Sequence, residues 1–493
     1  MKRRDFLKSS AALGAGAMAW KSISPAKTAS AQDATGKPNI VLILPDQWRA
    51  KSTGYAGNPN VITPNLDRLA QESLNFTNTI AVAPVCTPYR ASLMTGRYPT
   101  NTGMFLNDLY LPAEELCLPE IFQQAGYDTA YIGKWHLDGH GRRAFIPPER
   151  RQGWEYWKAA ECEHNNYNSH YYTGESDEML FWEGYDAFAQ TEDAQQYIRN
   201  RDSDDPPFLM MISYGPPHPA SPQAPDTYRD MYTEDDIVLQ PNVPEEDREE
   251  ARFYLHDYYA HCTAIDHCVG ELMGAIDESG IAENTIFIFT SDHGGMLLSH
   301  GDPQHWKQQS WDESARVPFL LRYPAAHGKE AREVETPWNT PDFTATLIGL
   351  ADIPIPDSIE GEDLSRLIRD GSEIPDRATL YMNVTPFAGH TDYIPYRALR
   401  TRQYTYVRNL DGPWRLFDDV ADPYQLNNLV NEAEYAELVE ELDAELQRQL
   451  DRIGDDFRPA EAYLEEWNYE VDDTGATPYQ PPFTPQGPSL NRA

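Results

Sequence analysis

Short, wholly apolar runs alternate with helix-like stretches along most of this chain, and that pattern admits few folds. Ile40-Val41-Leu42-Ile43-Leu44 offers no polar residue to either face, so a strand made from it must be covered on both sides. Thr129-Ala130-Tyr131-Ile132, Phe208-Leu209-Met210-Met211-Ile212, Thr285-Ile286-Phe287-Ile288-Phe289 and the shorter Phe319-Leu320-Leu321 are of the same kind. Helical segments lie between them. Thr63-Pro64-Asn65-Leu66-Asp67-Arg68-Leu69-Ala70 has a capping threonine, a first-turn proline and an apolar stripe. Buried strands separated by helices indicate an α/β fold with a mainly parallel central sheet flanked by helices. Polar residues follow closely on four of the strands: Asp46 and Gln47, Lys134 and His136, His218, then Asp292 and His293. Open parallel sheets bind ligands outside the carboxyl ends of their strands, so these groups are expected at one edge.

The chain has 493 residues, enough for two or three domains and a large core. Seventy-eight acidic residues against 40 basic ones give a net charge of −38, which excludes nucleic acid as a partner because phosphate binding needs basic surface. A solvated, salt-adapted acidic surface explains that balance; an anionic substrate would then depend on a local cationic pocket acting at short range. Five widely spaced cysteines with no Cys-x-x-Cys make neither a disulfide scaffold nor a zinc site. Cys117 and Cys162 read as packed thiols, and Cys262 and Cys268, on one helix, point to different faces. Arg3-Arg4-Asp5-Phe6-Leu7-Lys8, a following Ala/Gly-rich apolar run and the small residues Ala29-Ser30-Ala31 read as a twin-arginine export signal over residues 1–31. The protein is therefore expected in the periplasm or outside the cell, carried there by the twin-arginine machinery. No segment is apolar for long enough to span a membrane.

The main domain is expected over residues 32–374. From about residue 375 the character changes: Tyr396-Arg397-Ala398-Leu399-Arg400-Thr401 and Tyr404-Thr405-Tyr406-Val407 read as strands, with Asp411-Gly412 as a hairpin turn. Glu434 to Ile453 is an amphipathic helix. This gives a smaller C-terminal α+β subdomain with an antiparallel sheet over 375–471, then a Pro-rich tail over 472–493 that wraps the surface or stays disordered.

Cys86-Thr87-Pro88-Tyr89-Arg90 carries the chemistry. Thr87 can cap a helix with Pro88 at its first position, and Gly96 can end it. Cys86 would then lie just ahead of a helix N-terminus, with Arg90 one turn in, where a thiol is acidic and reactive. Cys-x-Pro-x-Arg followed by Ala91-Ser92-Leu93-Met94-Thr95-Gly96-Arg97 resembles the signature of type I sulfatases of the alkaline phosphatase superfamily. The likeness extends over most of the mature chain, including Trp414-Arg415-Leu416-Phe417-Asp418-Asp419. It implies an alkaline-phosphatase-like fold and a cysteine oxidised by a separate formylglycine-generating enzyme to Cα-formylglycine (3-oxoalanine), whose hydrate is the nucleophile.

The resemblance also implies roles. Asp46, Gln47, Asp292, His293 and the formylglycine at Cys86 would hold a metal, Ca²⁺ with Mg²⁺ as the alternative. Gln47 and His293 depart from a family pattern in which many relatives carry Asp and Asn there, and an imidazole is a softer ligand than calcium usually takes. Gly133-Lys134-Trp135-His136 resembles the motif whose lysine contacts sulfate and whose histidine orients the hydrate. Pro216-Pro217-His218-Pro219 resembles the segment whose histidine protonates the leaving oxygen, and Lys307 matches the second sulfate-binding lysine. Arg90 would hold the hydrate. Within Ser291-Asp292-His293-Gly294-Gly295, Asp-His-Gly recurs across the superfamily, so this segment decides less.

The stretch from Trp154 to Tyr185 is dense in aromatic and amide residues, which suits either a carbohydrate subsite with His164 lining it or a packed insertion. The expected activity is hydrolysis of sulfate from a sulfated saccharide, such as one derived from a marine polysaccharide. Alternatives are a phosphonate or phosphate ester hydrolase, a choline or aryl sulfatase, or a non-catalytic sulfated-glycan-binding protein whose Cys86 stays unmodified.

Overall fold

A computed structural model of the chain describes residues 36–219, 223–303, 306–387 and 393–479; the expected export signal and the end of the Pro-rich tail lie outside them. Its ten-stranded sheet is ordered Arg332–Val334, Leu74–Phe76, Leu320–Arg322, Thr285–Phe289, Asn39–Ile43, Phe208–Ser213, Asp128–Lys134, Tyr156–Ala160, His170–Thr173, Leu180–Phe181. The five strands from Thr285–Phe289 to Tyr156–Ala160 are mutually parallel. Leu320–Arg322 belongs to the sheet as its apolar run predicts, but it runs antiparallel to both neighbours, as do the pairings at the far edge.

Burial on both faces follows from the sequence of the central strand. Ile40 and Leu42 enter one core and Val41 and Ile43 the other, the period-2 alternation of a pleated strand with neither side polar. All four are at most 1 % exposed, and each such side chain contributes roughly 1.5–3 kcal/mol. The helix Arg248–Glu278 lies against the second core, and its Cys262 and Cys268, free thiols, both end buried in that cluster. The helix Pro64–Ala70 forms as expected, but Thr63 does not cap it with its side chain. Its hydroxyl instead accepts from the Gly54 N–H at 2.7 Å and meets Asp67 at 3.3 Å.

A separate antiparallel sheet is ordered Thr379–Asn383, Tyr396–Arg400, Tyr404–Asn409, Gly412–Asp418. Asn409 pairs with Gly412, so the hairpin turn is Leu410-Asp411, one residue earlier than the expected Asp411-Gly412, and Gly412 opens the next strand. The amphipathic helix runs Ala436–Ile453 and buries the stripe Val439, Leu442, Leu446, Leu450 and Ile453.

Candidate active site

Thr285–Phe289, Asn39–Ile43, Phe208–Ser213 and Asp128–Lys134 are adjacent and parallel, so the residues that follow them meet at one edge. There Asp46, Cys86, Asp292 and His293, all buried, place one ligand atom each within 4.8 Å of one another. Cys86 arrives on the helix Cys86–Thr95, whose ten residues are all buried. It is the first residue of that helix rather than the residue ahead of it. Val85 holds the cap position, Pro88 is third in the helix, and no side chain caps the end. Thr87 is diverted from capping by tertiary partners: its hydroxyl donates to the His136 carbonyl at 2.9 Å and accepts from the Asp108 N–H at 3.3 Å. Gly96 ends the helix in the left-handed conformation, as expected.

Four charged or titratable groups surround the Cys86 sulfur: His293 Nε2 at 3.3 Å, Lys307 Nζ at 3.4 Å, Lys134 Nζ at 3.8 Å and Asp46 Oδ1 at 3.9 Å. Burial alone would raise the thiol, but Lys134, Lys307, His293 and His136 hold it well below its ordinary value. Asp46 pairs with Lys134 at 2.5 Å, and despite burial and the nearby thiol the cations keep it ionised. Arg90 bonds to Asp292 at 3.0 Å, the Ser213 hydroxyl at 2.7 Å and the Lys134 carbonyl at 2.9 Å, and lies 3.6 Å from Asp46. Asp292 is pushed up by burial and by Asp46, a strain of like charge that a cation between the two would relieve.

The donor set fits a divalent cation. In its neutral form His293 donates from Nδ1 to the Gly294 carbonyl at 2.7 Å, which leaves the Nε2 lone pair toward Cys86 and the two carboxylates. Gln47 sits at φ +66°, donates its N–H to Asp292 at 3.0 Å and accepts from Lys307 at 3.3 Å; its Nε2 is buried with no partner. Its one side-chain carbonyl oxygen is therefore shared between Lys307 and any cation, because a flip would set the amide N–H groups against the ammonium.

Of the other expected residues, His136 meets Asp108 at 2.9 Å and sits at φ +60°. Burial would lower its pKa, but Cys162 and Asp108 raise it to about 10. His218 lies 3.2 Å from Lys307 and stacks on His164 at 4.5 Å between ring centroids. Burial, Lys307 and His164 hold His218 well below its ordinary pKa. His164 in turn touches the Cys162 sulfur at 3.5 Å. Cys162 is packed but not inert: against burial, Lys134, His136 and His164 bring its thiol down to about 5.

The aromatic density of residues 154–185 is mostly packing. Trp154, Trp157, Tyr172, Trp182 and Tyr185 are at most 6 % exposed, and Trp157 stacks on Tyr131 within the core. Of that stretch, His164 stands beside His218. Asp108, Ser213 and Glu161 also contact the expected set; no motif marks them, although Ser213 closes the strand Phe208–Ser213 and Glu161 directly follows Tyr156–Ala160.

The sulfatase family model matches residues 38–353. The chain belongs to the sulfatase family. A model for the C-terminal part of N-sulphoglucosamine sulphohydrolase matches residues 303–452, and one for the twin-arginine signal matches 1–20. The sulfatase is thus an exported enzyme, periplasmic or secreted, and no helix among its described residues is long and apolar enough to cross a membrane. It is 52% identical to an ulvan-active sulfatase of Formosa agariphila, over 90% of this chain and 87% of the relative. An endo-4-O-sulfatase of Bacteroides thetaiotaomicron is 30% identical, over 85% of this chain and 92% of the relative. The solved structure of yidJ from Bacteroides fragilis superposes with a TM-score of 0.78 at 29% identity, covering 88% of this chain and 99% of its own. The phosphonate monoester hydrolase of Agrobacterium radiobacter shares the fold at 20% identity, with a TM-score of 0.67 over 93% of this chain and 100% of its own.

Proposed function

We propose that this sulfatase removes sulfate from a sulfated polysaccharide of the ulvan type, with residue 86 acting as formylglycine. The observation that carries the reading is the convergence of Lys134, Lys307 and His293 on the Cys86 sulfur within 3.8 Å, at a parallel-sheet edge shared with His218. The substrate class rests on the identity to the ulvan-active relative. Oxidised to formylglycine, residue 86 would supply a hydrate, one oxygen of which attacks sulfur while the other expels sulfate and restores the aldehyde. A divalent cation held by Asp46, Gln47, Asp292, His293 and residue 86, Ca²⁺ in the first instance, would add positive charge against the sulfuryl oxygens.

The chain's own residues perform the remaining work. Lys134 and Lys307 flank the nucleophile and are placed to bind the sulfuryl oxygens, where preorganised charge stabilises the transition state most. Arg90 ion-pairs with both metal-facing carboxylates, at 3.0 Å from Asp292 and 3.6 Å from Asp46. His136, anchored by Asp108, holds the nucleophile's orientation. His218 gives the leaving alcohol its proton, the anionic substrate offsetting the burial, Lys307 and His164 that otherwise hold the imidazole neutral. His164, stacked on His218, is placed to touch the sugar that leaves.

The test is sulfate release from ulvan oligosaccharides by protein made with its formylglycine-generating partner, beside matched aryl sulfate, choline sulfate and phosphate esters. Mass spectrometry of the peptide around residue 86 reads the exchange of thiol for aldehyde. Preference for the saccharide, lost in Cys86→Ala, is expected. Turnover by Cys86→Ala, or a phosphate ester as the better substrate, refutes the reading.

A further inference from the structure

Lys134 and His136 face residue 86 only while the backbone carrying them holds an unfavourable shape. Gly133 has φ +105°, and a Cβ there would meet the Ser213 carbonyl oxygen at 2.1 Å. His136, three residues on, occupies the left-handed region at φ +60° without being glycine. Something must hold that turn, and the strand beside it ends in the means. The Trp135 N–H still donates to Ala160, the last residue of the neighbouring strand, at 2.8 Å. The next residue, Glu161, then takes four consecutive N–H groups. Its main-chain carbonyl accepts from His136 at 2.7 Å. Its carboxyl accepts from Leu137 at 3.2 Å, from Asp138 at 3.0 Å with each oxygen, and from Gly139 at 2.9 Å.

Glu161 is 1 % exposed and has no ion-pair partner among the described residues. A buried carboxyl without a cation is unfavourable unless hydrogen bonds satisfy it. Burial and Asp138 push its pKa up, while His136 and the N–H groups of Gly139 and Asp138 pull the other way and favour the ionised form, whose two oxygens are both free to accept. Asp138, within the same turn, is braced by Arg150 at 2.7 Å and His140 at 3.2 Å, so the far side of the turn is pinned as well.

We propose that Glu161 is a positioning residue, holding the main chain of His136–Gly139 so that Lys134 and His136 address residue 86. The proposal rests on the reading of Lys134 and His136 as members of the catalytic set.

Glu161→Gln tests it closely. Each carboxyl oxygen accepts from two N–H groups, so either placement of the amide nitrogen sets a donor against donors. The variant, carrying formylglycine, is expected to lose about 10- to 100-fold in kcat with KM changed by less than about threefold, as for a misplaced catalytic group. Hydrogen exchange should quicken at amides 136–139 and not elsewhere in the sheet. In a His136→Ala, Lys134→Met background the same substitution should cost almost nothing further, because the groups it positions are gone. Glu161→Asp keeps two acceptors on a shorter arm and should recover part of kcat; it also serves if the glutamine variant does not fold. Unchanged exchange at 136–139 overturns the proposal, and so does quickened exchange throughout the protein with kcat per folded molecule intact. If instead the His136→Ala, Lys134→Met protein turns over normally, the catalytic reading of those residues fails, while the exchange result still reports on Glu161.

Discussion

Replacing Lys307 with methionine keeps much of its length and removes a charge that touches the nucleophile and His218 at once. Its ammonium lies 3.4 Å from the Cys86 sulfur and 3.2 Å from His218 Nε2. Two unit charges at that second distance interact by about 5 kcal/mol at an effective dielectric of about 20, before salt and partial exposure reduce it. His218 is held below its ordinary pKa by burial, then by Lys307 and His164. Removing a cation stabilises the protonated imidazole, so the pKa rises. A general acid must be protonated to act, and a higher pKa keeps it loaded to higher pH. The alkaline limb of kcat/KM should therefore move upward by at least about one unit, a fraction of the Coulomb figure at 1.36 kcal/mol per unit. The rate at the optimum should fall by about 10²–10³, as for loss of one preorganised donor to a developing anion. Initial rates of sulfate release across the pH range in which the fold is stable measure both, and Lys307→Arg should keep the limb near its original place. A methionine variant with a slower rate but an unmoved limb would refute the electrostatic link between Lys307 and His218. A rate within about threefold of the parent would remove Lys307 from sulfate binding altogether.

Stripping divalent ions with a chelator should abolish turnover and lower the thermal midpoint, since an ion at 100 times its Kd stabilises the fold by about 2.7 kcal/mol; restoration with Ca²⁺ against Mg²⁺, read by calorimetry, identifies the fitting ion. Asp108→Asn should lower the pKa of His136, which Cys162 and Asp108 hold at about 10 against burial. Because that value lies above the ordinary 6.5, the stabilisation is complete below about 6.5 and lost as pH rises through 10; the variant should lose it at lower pH, visible as an earlier alkaline fall in thermal midpoint. Arg397→Met should cost about 3–5 kcal/mol in denaturant unfolding, because it strands Asp455, to which Arg397 is fully buried and paired.

The sequence made the active edge legible for a physical reason. A strand buried on both faces has little place for a polar side chain along its length, so polar residues of use gather at its end or just beyond it. Lys134 closes its strand, Asp46, His218 and Asp292 stand beyond theirs, and the four strands are adjacent and parallel. Local rules failed where tertiary partners offered more than local ones. Thr87 has the chemistry of a cap but spends its hydroxyl on His136 and Asp108, and Thr63 spends its own on Gly54 and Asp67. The aromatic run after Trp154 has the composition of a sugar platform, yet burial of Trp157 against Tyr131 yields more free energy than exposure would.

Asp108, Ser213 and Glu161 were not legible because each serves the site through groups of other residues. Asp108 reaches the imidazole of His136, Ser213 the guanidinium of Arg90, and Glu161 the bare main chain. A main-chain N–H carries no side-chain signature, so no pattern of residue types along the chain can announce what will bind it. The side chains proposed to act are thus dictated by the chemistry they would perform, whereas the residues that hold them are dictated by where the fold brings another residue's polar group within hydrogen-bonding distance. Glu161 is the sharpest case. Its place in the sequence is that of any residue leaving a strand, and its function exists only because the neighbouring strand ends in a left-handed turn beside it.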